Sequence, residues 1–238
     1  MKLYKAIIFD LDNTLLDYTR SELESMRRTC RDHSLFQADG GLEWDSFWPR
    51  FLEHNFRHWN SFVNGGEVKS IRDVLQYSFR DTLNRSELFH KQLAESYWRY
   101  FCDNCYFEEG GRDVLEWAQR QRFQLGIITN GIGEAQRSRL KAGGIDRLFQ
   151  ALIVSDEVGV RKPSKEIFEM ALGHLGVLRE EVLFVGDSLT DDYEGAVRAG
   201  IDFCYYNRTG AVLPDRVAPK YAVRRLAELA LLDFAPHS

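Results

Sequence analysis

The sequence predicts an α/β fold: a doubly wound parallel sheet whose first strand is followed by an inserted helical bundle. Three observations predict it. An apolar run, Ala6-Ile7-Ile8-Phe9, ends abruptly in the paired acids Asp10 and Asp12. Residues 17–106 then show helical spacing and almost no strand signal. From Phe107 onward, apolar strands and helical runs alternate, the pattern of a parallel sheet with crossover helices.

The first strand is apolar on both faces through Ile7, Ile8 and Phe9, as an interior strand of a parallel sheet must be. Its acids stand where the strand ends, on the edge where open α/β sheets bind ligands. Two carboxylates there are costly to desolvate unless a cation or donors compensate them. A divalent metal would do so, and Asp10 would then be placed to act as a nucleophile.

In the insert, Leu23, Met26 and Cys30, then Phe47, Phe51 and Leu52, then Val74, Leu75, Ser78 and Phe79, then Leu88, Leu93 and Trp98 recur at helical spacing. They predict a bundle of about four helices. Ser21-Glu22-Leu23-Glu24 and Ser86-Glu87 offer helix starts, and Asn64-Gly65-Gly66 offers a break. Trp44, Trp48, Trp59 and Trp98 lie here and read as core, with Trp59 and Phe62 as candidate pocket residues. The first strand finds parallel partners only if the sheet resumes after the insert. The bundle (17–106) therefore reads as a cap over the acidic loop of one α/β core domain (1–16 and 107–238).

In the last stretch, strands are expected at Gln124–Thr129, Ala151–Val154, Val182–Gly186 and Asp202–Tyr206. Helices are expected at 112–120, 134–142, Lys165–Leu175 and 191–199, with Gly143-Gly144 and Gly200 as stops.

The 238 residues carry 44% hydrophobic and 28% charged side chains, enough for a sizeable core. A net charge of −5 leaves no footprint for nucleic acid polymers or an anionic membrane. Residues 226–235 are too short and too charged to span a bilayer, and no signal-peptide core precedes Asp10, so a cytoplasmic location is expected. No oligomeric state is implied. Cys102 and Cys105 have the spacing of a redox pair or half a zinc site, but no second pair exists and the preceding residues look helical. They read as ordinary thiols at a helix end. His54 and His58 are spaced i and i+4, but a zinc protease would need Glu where Asn55 stands, so they read as a polar helix face or a cap-pocket lining. Gly131 and Gly133 lack the rest of a dinucleotide fingerprint, and neither a phosphate-binding Gly-rich loop nor a serine elbow is present.

Four places put polar groups directly after apolar strands: Asp10-x-Asp12-x-Thr14, Thr129-Asn130-Gly131, Val158-Gly159-Val160-Arg161-Lys162-Pro163 and Gly186-Asp187-Ser188-Leu189-Thr190-Asp191-Asp192. Parallel strands bring such groups to one edge. Singly, each has an ordinary reading: a strand-end threonine, an Asn-Gly turn, a loop lysine, a helix cap. Jointly and in this order they resemble the four signature motifs of the haloacid dehalogenase superfamily. The insert is placed like the C1-type cap of its phosphoglycolate phosphatase-like branch.

The resemblance implies a Mg²⁺-dependent phosphomonoester hydrolase acting on a small phosphorylated metabolite through an aspartyl-phosphate. Asp10 would be the nucleophile and Asp12 the general acid/base. Mg²⁺ would be held by Asp10, the backbone carbonyl of Asp12, and Asp187. Thr129 and the Asn130 N–H would hold phosphate oxygens, and Lys162 would offset negative charge. Either Asp192 or Asp191 would be the second acid of the fourth motif, orienting Lys162 or a metal-bound water. Residues 126–131 and 154–168 are similar to pyrimidine 5′-nucleotidases of this superfamily, which points to nucleoside 5′-monophosphates. Sugar-phosphate or phosphoglycolate phosphatase, phosphomutase and 2-haloacid dehalogenase activities are the enzyme alternatives. Dehalogenation needs no metal and leaves Asp12 and Asp187 without a task. A phosphoacceptor signalling domain or a non-catalytic binding protein is the other class. The former has its acid on a later strand and no large insert, and the latter would be expected to lack one of these residues.

Overall fold

The computed structural model describes residues 2–36 and 43–236. The chain forms two compact units, one of Met1–Thr19 with Cys105–Ser238 and one of Arg20–Asn104.

The first unit is built on a six-stranded, wholly parallel sheet. Numbering strands in chain order, these are β2 (Ala6–Phe9), β3 (Gln124–Thr129), β4 (Ala151–Val154), β5 (Val182–Gly186), β6 (Asp202–Tyr206) and β7 (Tyr221–Val223). Their order across the sheet is β4-β3-β2-β5-β6-β7. The chain thus starts in the middle, winds outward one way, then returns to wind the other way. Brief β1 (Lys2–Tyr4) and β8 (Phe234–Pro236) pair separately, also in parallel.

The two-faced burial of β2 follows from its period of two. Ile7 and Phe9 join one apolar cluster with Val114, Leu115 and Ala118 of helix α5 (Gly111–Arg120). Ala6 and Ile8 join the opposite cluster with Ile167, Phe168 and Ala171 of α8 (Lys165–Leu175). β5 divides in the same way, with Leu183 and Val185 on the first face and Val182 and Phe184 on the second. Each fully buried Ile or Phe contributes on the order of 1.5–3 kcal/mol. The register is therefore strongly fixed, because a one-residue slip would exchange the faces. Phe9 pairs with Ile127 and Val185, so Asp10 leaves the sheet at its carboxyl edge between the ends of β3 and β5.

The second unit is helical. It contains most of α1 (Tyr18–Asp32) and all of α2 (Trp44–Val63), α3 (Ile71–Thr82) and α4 (Glu87–Asp103). Its core is aromatic: Phe51 packs against Phe79 at 4.8 Å between ring centroids and also against Tyr97. Ser70 caps α3 by accepting from the Asp73 N–H, and Ser86 caps α4 by accepting from the Phe89 N–H. α1 begins at Tyr18, earlier than the expected Ser21 start; Ser21 instead lies inward on the helix. Leu88, expected at a core spacing, is exposed in the first turn of α4. Trp59 and Phe62 are half-buried and pack on each other at 5.8 Å. His58 pairs with Asp81 at 2.8 Å, while His54 meets Arg57. Cys102, in the last turn of α4, and Cys105, two residues past its end, are not joined by a disulfide. Among the described residues, no helix is long and apolar enough to cross a membrane.

Candidate active site

The ends of β2, β3 and β5 lie side by side and carry Asp10, Thr129 and Gly186-Asp187. The Asp10 N–H donates to the Val185 carbonyl at 2.8 Å, continuing the ladder one residue past β2. Asn13 takes a left-handed φ of 60°, a conformation Asn tolerates, and the chain turns sharply between Asp12 and Thr14. Thr14 is thereby brought back under the site. Its hydroxyl lies 3.3 Å from Asp187 Oδ1 and 3.5 Å from Asp10 Oδ2.

Lys162 does not follow a strand directly, contrary to the strand-end placement expected for it. The short helix α7 (Ser155–Val158) and a loop intervene after β4. Asn130 holds that loop in place: its Oδ1 accepts from the Lys162 N–H at 2.8 Å, and its Nδ2 donates to the Lys162 carbonyl at 3.0 Å. Lys162 Nζ then donates to Asp10 Oδ1 and to Asp192 Oδ1, each at 2.6 Å. All three side chains are buried.

Asp192 owes its position to an irregular turn. Leu189–Tyr193 forms a single π turn before α9 (Glu194–Ala199), where a regular helix from 191 was expected. The turn carries Asp192 inward, where its Oδ2 accepts from the Ser188 N–H at 2.9 Å. Asp191 is held elsewhere, accepting from Asn130 Nδ2 at 3.1 Å. The cap of the turn is Ser188, not Asp187. Gly186 is required by the packing, since a Cβ there would stand 2.4 Å from Asp192 Oδ2.

One carboxylate oxygen from each of Asp10, Asp187 and Asp192 lies within 4.8 Å of the others. With all three ionised, Lys162, which bonds to Asp10 and Asp192, matches one of three negative charges, and Arg208 acts on Asp187 only through its charge. The electrostatics register that imbalance. Burial pushes the Asp10 carboxyl well above its usual range; Lys162 opposes this, and the charges of Asp192 and Asp187 add to it. Asp187 is pushed up to about 7, first by burial and then by Asp192. For Lys162, burial alone would lower the pKa, but the combined charges and hydrogen bonds of Asp10 and Asp192 outweigh it and raise the pKa. A compact set of hard oxygen donors with excess negative charge suits a divalent cation such as Mg²⁺.

The Asp12 side chain turns to a different set of partners. Its Oδ1 accepts from Arg139 at 2.5 Å and its Oδ2 from Gln136 Nε2 at 2.7 Å. Gln136 Nε2 also donates to Thr129 Oγ1 at 2.9 Å. Gln136 and Arg139 lie on α6 (Gly133–Ala142) and are almost wholly buried. Sequence reading missed both. A signal existed: they fall at i and i+3 on the same helix face as Ala135 and Leu140, so the apolar face already marked them as inward polar residues.

A family model described as haloacid dehalogenase-like hydrolase matches residues 4–200. The chain is 32% identical to the pyrimidine 5′-nucleotidase YjjG of Escherichia coli over 229 residues, covering 95% of this chain and 96% of that protein. It is 30% identical to YfnB of Bacillus subtilis over 233 residues, covering 96% and 95%. The crystal structure of Bacillus subtilis YfnB bound to magnesium matches with a TM-score of 0.77 at 27% identity, covering 98% of this chain and 100% of that one.

Proposed function

This chain belongs to the haloacid dehalogenase-like hydrolase family, and on that premise we propose that it is a Mg²⁺-dependent phosphomonoester hydrolase. It works through an aspartyl-phosphate on Asp10, with nucleoside 5′-monophosphates as the substrate class.

The observation that carries this reading is the charge imbalance at the strand ends: three clustered carboxylates against one buried lysine. A dehalogenase would need Asp10 as nucleophile but would gain nothing from holding Asp187 and Asp192 beside it at such a desolvation cost. Asp10, Asp187 and the carbonyl of Asp12 would hold Mg²⁺, which when bound neutralises charge on the phosphate oxygens.

The chain's own groups divide the remaining work. Lys162 offsets the charge of Asp10 and of the incoming phosphate, and Asp192 keeps the ammonium in place. Thr129 and the Asn130 N–H hold phosphate oxygens. An Asp10 oxygen attacks phosphorus, the ester P–O bond breaks, and Asp12 delivers a proton to the leaving oxygen. Asp12 then takes a proton from water, whose oxygen bonds to phosphorus as the bond to Asp10 breaks. Inorganic phosphate leaves, Asp10 is again a carboxylate, and Asp12 again carries the proton with which it entered the first step. The nucleotide class rests on the 32% identity to YjjG along nearly the full length of both chains.

A phosphate-release screen across nucleotides, sugar phosphates and phosphoglycolate tests the reading. Nucleoside 5′-monophosphates should give the highest kcat/KM, chelation should abolish release, and Mg²⁺ should restore it. Asp10→Asn should be inactive while melting like a folded protein. Turnover confined to sugar phosphates or phosphoglycolate would overturn the substrate class. Metal-indifferent release of halide from a 2-haloacid would overturn phosphate chemistry altogether.

A further inference from the structure

We propose that Gln136 and Arg139 form a positioning clamp that couples the acid/base Asp12 to the phosphate-holding Thr129, so that one carboxamide sets both groups for reaction. The proposal rests on the phosphatase reading above and adds two residues and a division of labour to it.

The argument starts from the orientation of the Gln136 amide. Its oxygen and nitrogen are told apart by their partners. Arg139 Nη1 is a donor only, and it lies 3.2 Å from Gln136 Oε1. The oxygen therefore faces Arg139, and Nε2 is left to face two oxygens, Asp12 Oδ2 and Thr129 Oγ1. Both amide hydrogens are spent on them. Arg139 closes the triangle with its bond to Asp12 Oδ1. The guanidinium thus fixes the carboxamide, and the two together fix the Asp12 carboxylate by one bond to each oxygen.

Two consequences follow. Thr129 must accept from Gln136, so its own hydroxyl hydrogen is directed to a different acceptor, and none is present for it among the described residues. It is free to donate to a phosphate oxygen. Asp12, held on both oxygens, still keeps 24% of its side chain accessible, while Arg139 keeps none. A carboxylate has about four acceptor positions, so two remain for the proton that moves during reaction. The clamp orients Asp12 without consuming it.

Gly131 supplies an independent handle. A Cβ there would stand 2.0 Å from Gln136 Nε2 and 2.6 Å from its Cδ. Gly131→Ala therefore displaces the carboxamide by contact alone, without altering any hydrogen-bonding group. Gln136→Met removes the donors while keeping the side chain's length.

The experiment compares both variants with the full-length wild type on an alkyl phosphate, whose leaving oxygen needs a proton, and on 4-nitrophenyl phosphate, whose leaving group does not. The expected result is a loss in kcat/KM, which reports the steps up to the aspartyl-phosphate, of about 10²-fold on the alkyl ester with KM within about threefold, and a much smaller loss on the aryl ester. In an Asp12→Asn background, Gln136→Met should add no more on the alkyl ester than the small loss it shows on the aryl ester through Thr129, because the clamp then has no acid to position. Unchanged kcat/KM on the alkyl ester, equal losses on both esters, or losses that add fully to that of Asp12→Asn would overturn the clamp and leave Gln136 a packing residue. A wild type inert toward every phosphate ester would instead sink the phosphatase reading. In that case the crystal structure of Gln136→Met decides: a displaced Asp12 carboxylate supports the clamp, and an unmoved one overturns it.

Discussion

Replacing Lys162 with methionine isolates the electrostatics of the site from its shape. The ammonium is the one cation bonded to Asp10 and Asp192 among the described contacts, at 2.6 Å from each, and all three side chains are buried. Removing one partner of a buried ion pair costs about 3–5 kcal/mol, because it leaves a buried charge uncompensated. For a chain of this length, each kcal/mol lowers the melting midpoint by about 2–4 °C, so the loss should be about 6–20 °C. The pH dependence gives the sharper test. Burial already raises the Asp10 carboxyl, and Lys162 is what opposes that rise. Without the lysine, the folded state binds protons more tightly still than the unfolded chain. Stability then falls as pH rises, so the deficit should be larger at about pH 8 than at about pH 5.5. Asp192→Asn added to Lys162→Met should recover part of the loss by removing a like charge. Calorimetry in chelator reads all of this. A Lys162→Met midpoint within about 1 °C of wild type, or a deficit indifferent to pH, would refute the reasoning.

In the metal-free protein, Asp187 titrates at about 7, above the 3.8 of an ordinary aspartate, because of burial and then Asp192. A raised acid binds its proton more tightly when folded, so its contribution is fully present at low pH and is lost as pH climbs from about 4 through 7. Melting curves in chelator should slope downward over that window, Asp187→Asn should flatten the slope, and identical slopes would contradict the assignment. Gly186→Ala places a methyl group 2.4 Å from Asp192 Oδ2 and should push that carboxylate off Lys162, lowering kcat about 10²-fold. Steady-state kinetics checks it, and wild-type turnover would show that the carboxylate accommodates the methyl. Phe79→Ala in the helical unit removes a fully buried ring packed on Phe51 and Tyr97, at a cost of about 3–5 kcal/mol. Helical circular dichroism during urea unfolding should register that loss, and a shift below about 1 kcal/mol would mean the ring is not part of a tight core.

The interior strands were legible because they are buried on both faces and so read as continuous apolar runs; β3 through β6 begin and end where Gln124–Thr129, Ala151–Val154, Val182–Gly186 and Asp202–Tyr206 suggested. The short strands β1, β7 and β8 were not, since three residues such as Lys2–Tyr4 leave no period to detect. Helix α7 escaped for the same reason, and with it the true route of the chain to Lys162. Which of Asp191 and Asp192 meets Lys162 lay beyond sequence reasoning on different grounds. It follows from a π turn, in which the Tyr193 N–H reaches back to Ser188 and the helical register shifts. A regular helix begun at 191 would not have sent Asp192 to Lys162, and no residue type announces a π turn.

Gln136 and Arg139 show where motif reading stops and helix-face reading should take over. A motif marks the groups proposed to meet substrate, whereas these two bond to Asp12, and Gln136 also to Thr129. Arg139 is wholly buried on a helix face otherwise made of Gly133, Ala135, Gln136 and Leu140. Interior arginines are expensive, and well-packed apolar replacements of buried ion pairs are often neutral or stabilising by about 1–4 kcal/mol. Core packing alone therefore does not account for an arginine at this position, whereas the Asp12 carboxylate 2.5 Å away does. The same logic predicts an asymmetry between the partners. Arg139→Met should destabilise little when Asp12→Asn accompanies it, because the bare carboxylate is gone. Asp12→Asn alone should destabilise more than the pair, because it takes from the buried guanidinium the carboxylate it pairs with. Urea unfolding of the three variants measures that order, and the double variant proving the least stable would make Arg139 a structural cation after all.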